Sequence, residues 1–294
     1  MKELSGKTAV ISGGAGGIGL NLAKALGAVG MNIVIADIEA AQLALAEQQL
    51  QAAGIPVLAV EMDVAIKSDW DRTAVAACER FGKVHMLINN AGVSGGIGAI
   101  ETLDDSGWRW TIDVNLMGVV YGANVFVPLM KEHGEQGWLI NVASIAGMAG
   151  APMGGAYTAT KAAVVALSEA WSVELQNHNI HVSVLAPAFV QTLIHKSYRN
   201  RQARYANNTP PSPDVIKLAT NTTQAVENGI DVNIVGQRVL EALEAGEFYI
   251  FTHPNYQPIT DARSSDVAQA FQHAADSPLL QHIKGQKIVS FTET

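Results

Sequence analysis

Seven short apolar, β-branched runs, separated by longer segments whose apolar residues recur every three or four positions, set the limits on what this chain can fold into. The runs lie at 8–12, 32–37, 57–63, 86–89, 138–144, 181–187 and 248–252, and the helical pattern at 19–29, 40–53, 69–81 and 157–176. Strands that alternate with helices pair in parallel, because a parallel connection needs a crossover long enough to hold a helix. Several runs are apolar at nearly every residue, as in strands covered on both faces. The expected class is α/β: a single Rossmann-type, doubly wound parallel sheet with helices on both faces.

The pattern changes only after residue 190. The reading is one domain over 1–294, with a core at 5–192, an extended lid at 189–230 after the sixth strand, and a C-terminal strand and helix at 248–294, the helix over 260–275. Residues 191–228 are rich in Asn, Thr, Tyr and Pro and include Thr209-Pro210-Pro211-Ser212-Pro213. Excursions of that length are either lids over binding sites or unstructured surface loops.

Charge and composition close off several function classes. Lys and Arg number 19 against 27 Asp and Glu, a formal net charge of −8 that repels phosphate backbones. The densest basic stretch, 196–204, is interrupted by Tyr198, Asn200, Gln202 and Ala203, so no nucleic-acid partner is expected. With 48 % hydrophobic and 16 % charged residues the chain forms a core and is not disordered. The single cysteine, Cys78, cannot make an intramolecular disulfide and reads as a core residue. No signal-peptide core precedes the first run, and the apolar stretch 119–130 is interrupted by Gly122 and Asn124. A cytoplasmic protein without a membrane partner is therefore expected. The eight histidines show no metal-ligand spacing, so no metal is expected, and His195 and His253 read as surface or loop residues. Trp108, Trp110 and Trp138 read as packing residues, and the sequons at Asn207 and Asn221 mean nothing without secretion.

The first run leads into Ser12-Gly13-Gly14-Ala15-Gly16-Gly17-Ile18-Gly19 and then a helix. Glycines there let the backbone turn sharply and approach a pyrophosphate, toward which the helix points its free N–H groups. Either glycine spacing alone is weak, but a loop between first strand and first helix is where an open α/β sheet binds its ligand. Asp37 closes the second strand, where a carboxylate accepts hydrogen bonds from ribose hydroxyls and repels a 2′-phosphate. Neither Ile38 nor the loop between Gly13 and Gly17 offers a cation for such a phosphate. The cofactor expected is NAD, with Asp37 also able to cap the following helix.

Tyr157 and Lys161, four apart, share one helix face. A phenol with a pKa near ~10 is a poor base at neutral pH unless a neighbouring cation favours its phenolate. The pair alone is a common surface arrangement. Its context is Ser144 at a strand end, Asn89-Asn90-Ala91-Gly92 at another, and Asn115 inside a helical stretch, where asparagine is otherwise mildly unfavourable.

With these elements in order, residues 5–192 resemble the short-chain dehydrogenase/reductase family: Gly13, Gly17 and Gly19, Asp63-Val64, Asn89 to Gly92, Asn115, Ser144, Tyr157 and Lys161. The resemblance implies that Tyr157 exchanges a proton with the substrate oxygen and that Ser144 hydrogen-bonds that oxygen. Lys161 would hold the nicotinamide ribose and lower the pKa of Tyr157, and Asn115 would support a proton-relay water. Ile18, Ile38, Asp63, Val64, Asn90, Ala91, Gly92 and Thr192 would contact the cofactor. Two features depart from the family: Pro187-Ala188 stands where Pro-Gly is usual, and the chain continues past the usual Asp-Gly-Gly ending. A homodimer and a homotetramer both fit.

Specificity is expected from 94–100, 148–154 and the lid, where Phe189 and Tyr198 are the candidate substrate contacts, beside Ser144 and Tyr157. The lid and tail are similar to the branch that includes aryl-alcohol Cα-dehydrogenases. The implied activity is an NAD-dependent dehydrogenase acting on a hydrophobic, including aromatic, secondary alcohol or its ketone. Two alternatives remain. A dinucleotide-binding sensor or scaffold would have no need of Ser144, Tyr157 and Lys161 together, and dehydration or epimerisation could run on the same scaffold.

Overall fold

Every residue of β1 (Thr8–Ser12), β4 (Met86–Asn89) and β5 (Gly137–Val142) is buried. Strands without a solvent face belong at the centre of a sheet, and these three are neighbours. The computed structural model describes residues 2–206 and 210–287; the Asn207 sequon lies outside them. The remaining strands are β2 (Asn32–Asp37), β3 (Val57–Glu61), β6 (Ile180–Ala186) and β7 (Tyr249–Phe251). They form one sheet in the order β3-β2-β1-β4-β5-β6-β7, every pairing parallel. This is the Rossmann-type α/β fold the sequence implies. Each expected run holds a strand, with ends displaced by two residues at most.

Side chains alternate across the sheet, so β1 feeds two cores. Ala9 and Ile11 join Leu22, Leu26, Ile33, Ile35, Leu50, Val235 and Val239 on one face. Val10 joins Trp70, Leu87, Trp110, Phe126, Met130 and Leu139 on the other. The first face is covered by α1 (Gly17–Ala28), α2 (Ala40–Ala52) and α8 (Val232–Ala245). Against the second pack α3 (Lys67–Phe81), α4 (Asp105–Ile112) and α5 (Gly118–His133); α6 (Gly155–Leu175) adds Leu175 there.

The segment Asp113–Met117 joins α4 to α5 as a π-helical turn. The continuous helix Asp105–His133 is by length and composition apolar enough to cross a membrane. Its Trp110, Val114, Phe126 and Met130 are spent on the core, as in a core helix.

The chain divides into two compact units, Met1–Thr252 and His253–Thr294. The first contains the whole sheet and the second contains α9 (Gln257–Asp276). The extension expected over 248–294 is thus split, its strand completing the sheet and its helix standing in the second unit. Segment 189–230 contains the 3-10 stretches Ile194–Asn200 and Ala203–Tyr205 and the helix α7 (Pro213–Glu227). Ser212 caps α7 by accepting the Val215 N–H at 3.4 Å, with Pro213 in the first turn. The ends of the excursion meet where Gln191 N–H donates to Ile230 O at 3.0 Å.

Candidate active site

At the carboxyl ends of β1 and β4 the backbone packs so closely that two glycines have no room for a side chain. Gly13 has φ +64°, and a Cβ there would lie 2.8 Å from Ala91 Cα. A Cβ at Gly19 would lie 2.2 Å from the Gly13 carbonyl oxygen. Asn90 Nδ2 donates to Ser12 O at 2.8 Å and Gly13 O at 3.0 Å, while Ser12 Oγ accepts the N–H groups of Asn90 and Ala91. α1 has Gly16 at its N-cap, with no side-chain cap and no acidic residue in its first turn. Its leading N–H groups therefore face an uncapped, glycine-lined cradle, which suits an anion such as a pyrophosphate.

Asp37 stands beside this cradle. Its Oδ2 accepts the Ala15 N–H at 3.0 Å and its Oδ1 the Glu39 N–H at 3.1 Å. Burial pushes its pKa up, and those two backbone bonds oppose the shift. Asp63 accepts the Ala65 N–H at 3.0 Å, and the neighbouring Val64 is buried against α5 at Gly118. Ile38 follows Asp37, and Ile18 lies in the first turn of α1. The residues present fit a dinucleotide.

The second half of the site converges on Gly92. Asn115, fully buried in the π-helical turn, accepts the Val93 N–H at 2.8 Å and donates to Val93 O at 2.9 Å. A π-turn inserts one extra residue and re-aims side chains, and such turns recur at functional sites. A Cβ at Gly92 would sit 3.4 Å from Asn115 Oδ1 and 3.5 Å from Lys161 Nζ. Lys161 Nζ donates to Val142 O at 2.7 Å and lies 5.7 Å from the centre of the Tyr157 ring. Ser144, just past β5, donates to Pro187 O at 3.3 Å and accepts the Ala146 N–H at 3.2 Å.

Burial pushes the Tyr157 phenol above its usual range, and a hydrogen bond with Ser144 works against that rise. Burial also brings Lys161 down to about 8. In the chain without cofactor, then, loss of water around the Tyr157 phenol outweighs its hydrogen bond with Ser144.

A family model described as short chain dehydrogenase matches residues 7–203. The chain belongs to the short-chain dehydrogenase/reductase family. It is 34 % identical over 270 residues to a "CLA biosynthesis dehydrogenase/reductase" of Lactiplantibacillus plantarum, covering 90 % of this chain and 93 % of that one. It is 30 % identical over 254 residues to a "C alpha-dehydrogenase" of Sphingobium sp., covering 86 % and 83 %. A short-chain dehydrogenase/reductase from Burkholderia phymatum, solved in complex with NAD, superposes with a TM-score of 0.89 at 36 % identity, covering 92 % and 97 %. The protein is thus an oxidoreductase of a family that works with a nicotinamide cofactor.

In this member of the short-chain dehydrogenase/reductase family, Ser144, Tyr157, Lys161 and Asn115 come together as expected of neighbours in one site. Thr192 reaches the glycine loop, its Cγ2 lying 3.3 Å from where a Gly17 Cβ would be. Among the described residues only Met153 and Asn179 are non-glycines with positive φ, so Ala188 turns the chain without a left-handed backbone. Met153 O accepts the Gly98 N–H at 3.0 Å, joining the two expected specificity loops. Phe189 and Tyr198 are both exposed, at 38 % and 47 %, and the Tyr198 ring lies tilted against Trp110 with ring centres 5.4 Å apart. No cluster of metal-binding side chains occurs among the described residues.

The sequence reading missed Glu39, Arg199 and Arg204. Arg199 pairs with Glu39 across 160 positions and Arg204 with Asp63 across 141. No local pattern signals either pair.

Proposed function

We propose that the protein oxidises a hydrophobic secondary alcohol, aromatic ones included, or reduces the matching ketone, with NAD as cofactor. The observation that carries this reading is the convergence of Asn115 Oδ1 and Lys161 Nζ on Gly92, next to the hydrogen-bonded Ser144 and Tyr157. When bound, the nicotinamide takes up or delivers the hydride. Gly13, Gly16 and the first turn of α1 hold the pyrophosphate, and Asp37 accepts from the adenosine ribose. Lys161 donates to the second ribose, and Thr192 flanks the glycine loop.

The protein's part in the chemistry is proton transfer and orientation. Ser144 donates a hydrogen bond to the substrate oxygen, and Tyr157 exchanges one proton with it. Because burial keeps the phenol protonated at neutral pH, Tyr157 is set to donate a proton to a carbonyl oxygen there. Oxidation, which needs the phenolate, gains with rising pH. The Sphingobium "C alpha-dehydrogenase" and the NAD-bound Burkholderia structure support the substrate class and the cofactor. Glu39 adds a second carboxylate two residues after Asp37, and Arg199 beside it is already paired, which supports NAD over NADP.

The test is Tyr157→Phe, assayed on 1-arylalkanols with NAD and with NADP. Turnover should fall by ~10²–10⁴-fold, the usual share of a general acid/base. Near-normal turnover would refute the role of Tyr157, and a clear preference for NADP would refute that of Asp37.

A further inference from the structure

The lid does more than adjoin a substrate pocket. From residue 193 to 206 it fastens to the ends of β2, β3 and β4 and to α4, the walls of the nucleotide cleft. Ser197 Oγ accepts the Ser94 N–H at 3.0 Å, two residues beyond Gly92. Arg199 donates to both carboxylate oxygens of Glu39, at 3.1 and 2.5 Å, and Asn200 Nδ2 adds a bond to Glu39 Oε1 at 2.8 Å. Arg204 donates to Asp63 Oδ2 at 2.6 Å, and Tyr205 OH to Asp113 Oδ2 at 2.8 Å. Arg201 lies over the rings of Trp110 and Tyr198 and donates to Ser106 Oγ at 2.8 Å.

This segment also carries polar atoms shut off from water with no protein partner. Both ring nitrogens of His195 are in that condition, as are Arg201 Nε and Gln202 Oε1, and so is Nε1 of Trp110 in α4, over whose ring Arg201 lies. Leaving such groups unpaired is costly, and each calls for an explanation. His195, in the 3-10 stretch that begins at Ile194, stands three residues beyond Thr192, whose side chain rests against Gly17 of the anion cradle. A dinucleotide laid along that cradle brings donors and acceptors to this place.

We propose that residues 193–206 form a strap over the bound dinucleotide, fastened by the Arg199–Glu39 and Arg204–Asp63 pairs, with His195 facing the cofactor, so that unfastening the strap sets how fast the cofactor leaves. The proposal rests on the reading of Asp37 and Asp63 as flanking that cofactor. The pairs are suited to a fastening that must open. The arginines are 38 % and 41 % exposed, and half-exposed ion pairs are weak one by one and screened by salt. Glu39 and Asp63 lie on the cleft walls rather than within the strap, so breaking them frees the strap without unfolding the sheet. Arg199, Asn200, Arg201 and Arg204 are positioning residues in this scheme.

The test is the rate at which NADH leaves the full-length protein, followed by its fluorescence in stopped flow. Arg199→Gln/Arg204→Gln should release NADH about 3- to 10-fold faster, the size expected from two partly exposed pairs. Glu39→Gln combined with Arg199→Gln should be no faster than either alone, because paired groups act once. Release from the wild type should quicken between about 0.05 and 0.5 M salt, and release from the double arginine variant should respond far less. His195→Phe, which keeps the ring volume but not the nitrogens, should weaken NADH binding several-fold. Unchanged release in the double arginine variant would overturn the strap, and unchanged affinity in His195→Phe would remove that residue from the site. If wild-type protein binds no NADH at all, the cofactor reading fails instead, which is a separate result.

Discussion

The two walls around the nucleotide cleft are built by opposite means. The floor is made of backbone and missing side chains. Gly13 and Gly19 bring chain segments into contact, and Asn90 and Ser12 tie the end of β1 to the end of β4 through partly buried bonds. The strap is made of long charged side chains whose ends reach water. Close backbone approach tolerates no movement, whereas partly exposed ion pairs open and re-form easily. On the proposed reading the cleft has one rigid face that sets the cofactor's position and one face that can let go. Changing Gly19 to Ala is the harshest way to break the rigid face. The new methyl would lie 2.2 Å from Gly13 O, an oxygen that Asn90 also holds in place. Overpacking of this kind costs ~1–3 kcal/mol, and cofactor affinity should fall by roughly 10- to 10²-fold. Isothermal titration with NAD reads the loss, and an affinity within a few-fold of wild type would show that the floor can yield.

Rigidity also has an electrostatic cost, concentrated at Lys161. Its ammonium is buried in the native chain, where its pKa is about 8 against an ordinary 10.5. Between those two values the unfolded chain binds more protons than the native one, so this lysine's contribution to stability rises with pH over that window. Below about pH 8 the full penalty is present, and above 10.5 it has vanished. The span corresponds to roughly 3 kcal/mol. Unfolding of wild type and Lys161→Met should be compared from pH 7 to pH 10.5 in the absence of cofactor. Wild type should gain relative to the variant across the window, and a constant difference would mean that Lys161 is solvated in the native state.

The same contrast explains what could be read before any coordinates. The floor was legible because its requirements are local: glycines at fixed spacing, a carboxylate at the end of β2, and Tyr157 and Lys161 one helical turn apart. The strap was not. Its arginines lie in a run, 196–204, that reads as ordinary surface, and their carboxylates stand more than 140 positions away. α7 was not expected either: the Pro- and Asn-rich stretch that leads into it reads as irregular, although Ser212 and Pro213 open the helix. The spacing of Tyr157 and Lys161 is a local signal, whereas the upward push on the Tyr157 phenol in the cofactor-free chain is not. That direction comes from burial, a property of the whole packed domain that no motif encodes.

A gentler change separates charge from packing within the strap. Tyr205 is 5 % exposed, packs with Trp110, Val64 and Val93, and lies beneath the Arg204 guanidinium, 4.8 Å from its ring centre. Its hydroxyl donates to Asp113, whose carboxylate is not fully buried and can turn to water, and accepts from Arg204, which keeps its bond to Asp63. Tyr205→Phe should therefore cost ~1 kcal/mol or less, a fall in Tm of no more than ~3 °C for a chain of this size. NADH release should change by less than about 2-fold, as expected for the loss of one neutral hydroxyl donor. If this variant instead released the cofactor as fast as Arg199→Gln/Arg204→Gln, the fastening would reside in the Tyr205–Asp113 contact and the ring beneath it. The two faces of the cleft would then differ in exposure but not in kind, since both would be held by packed, uncharged groups.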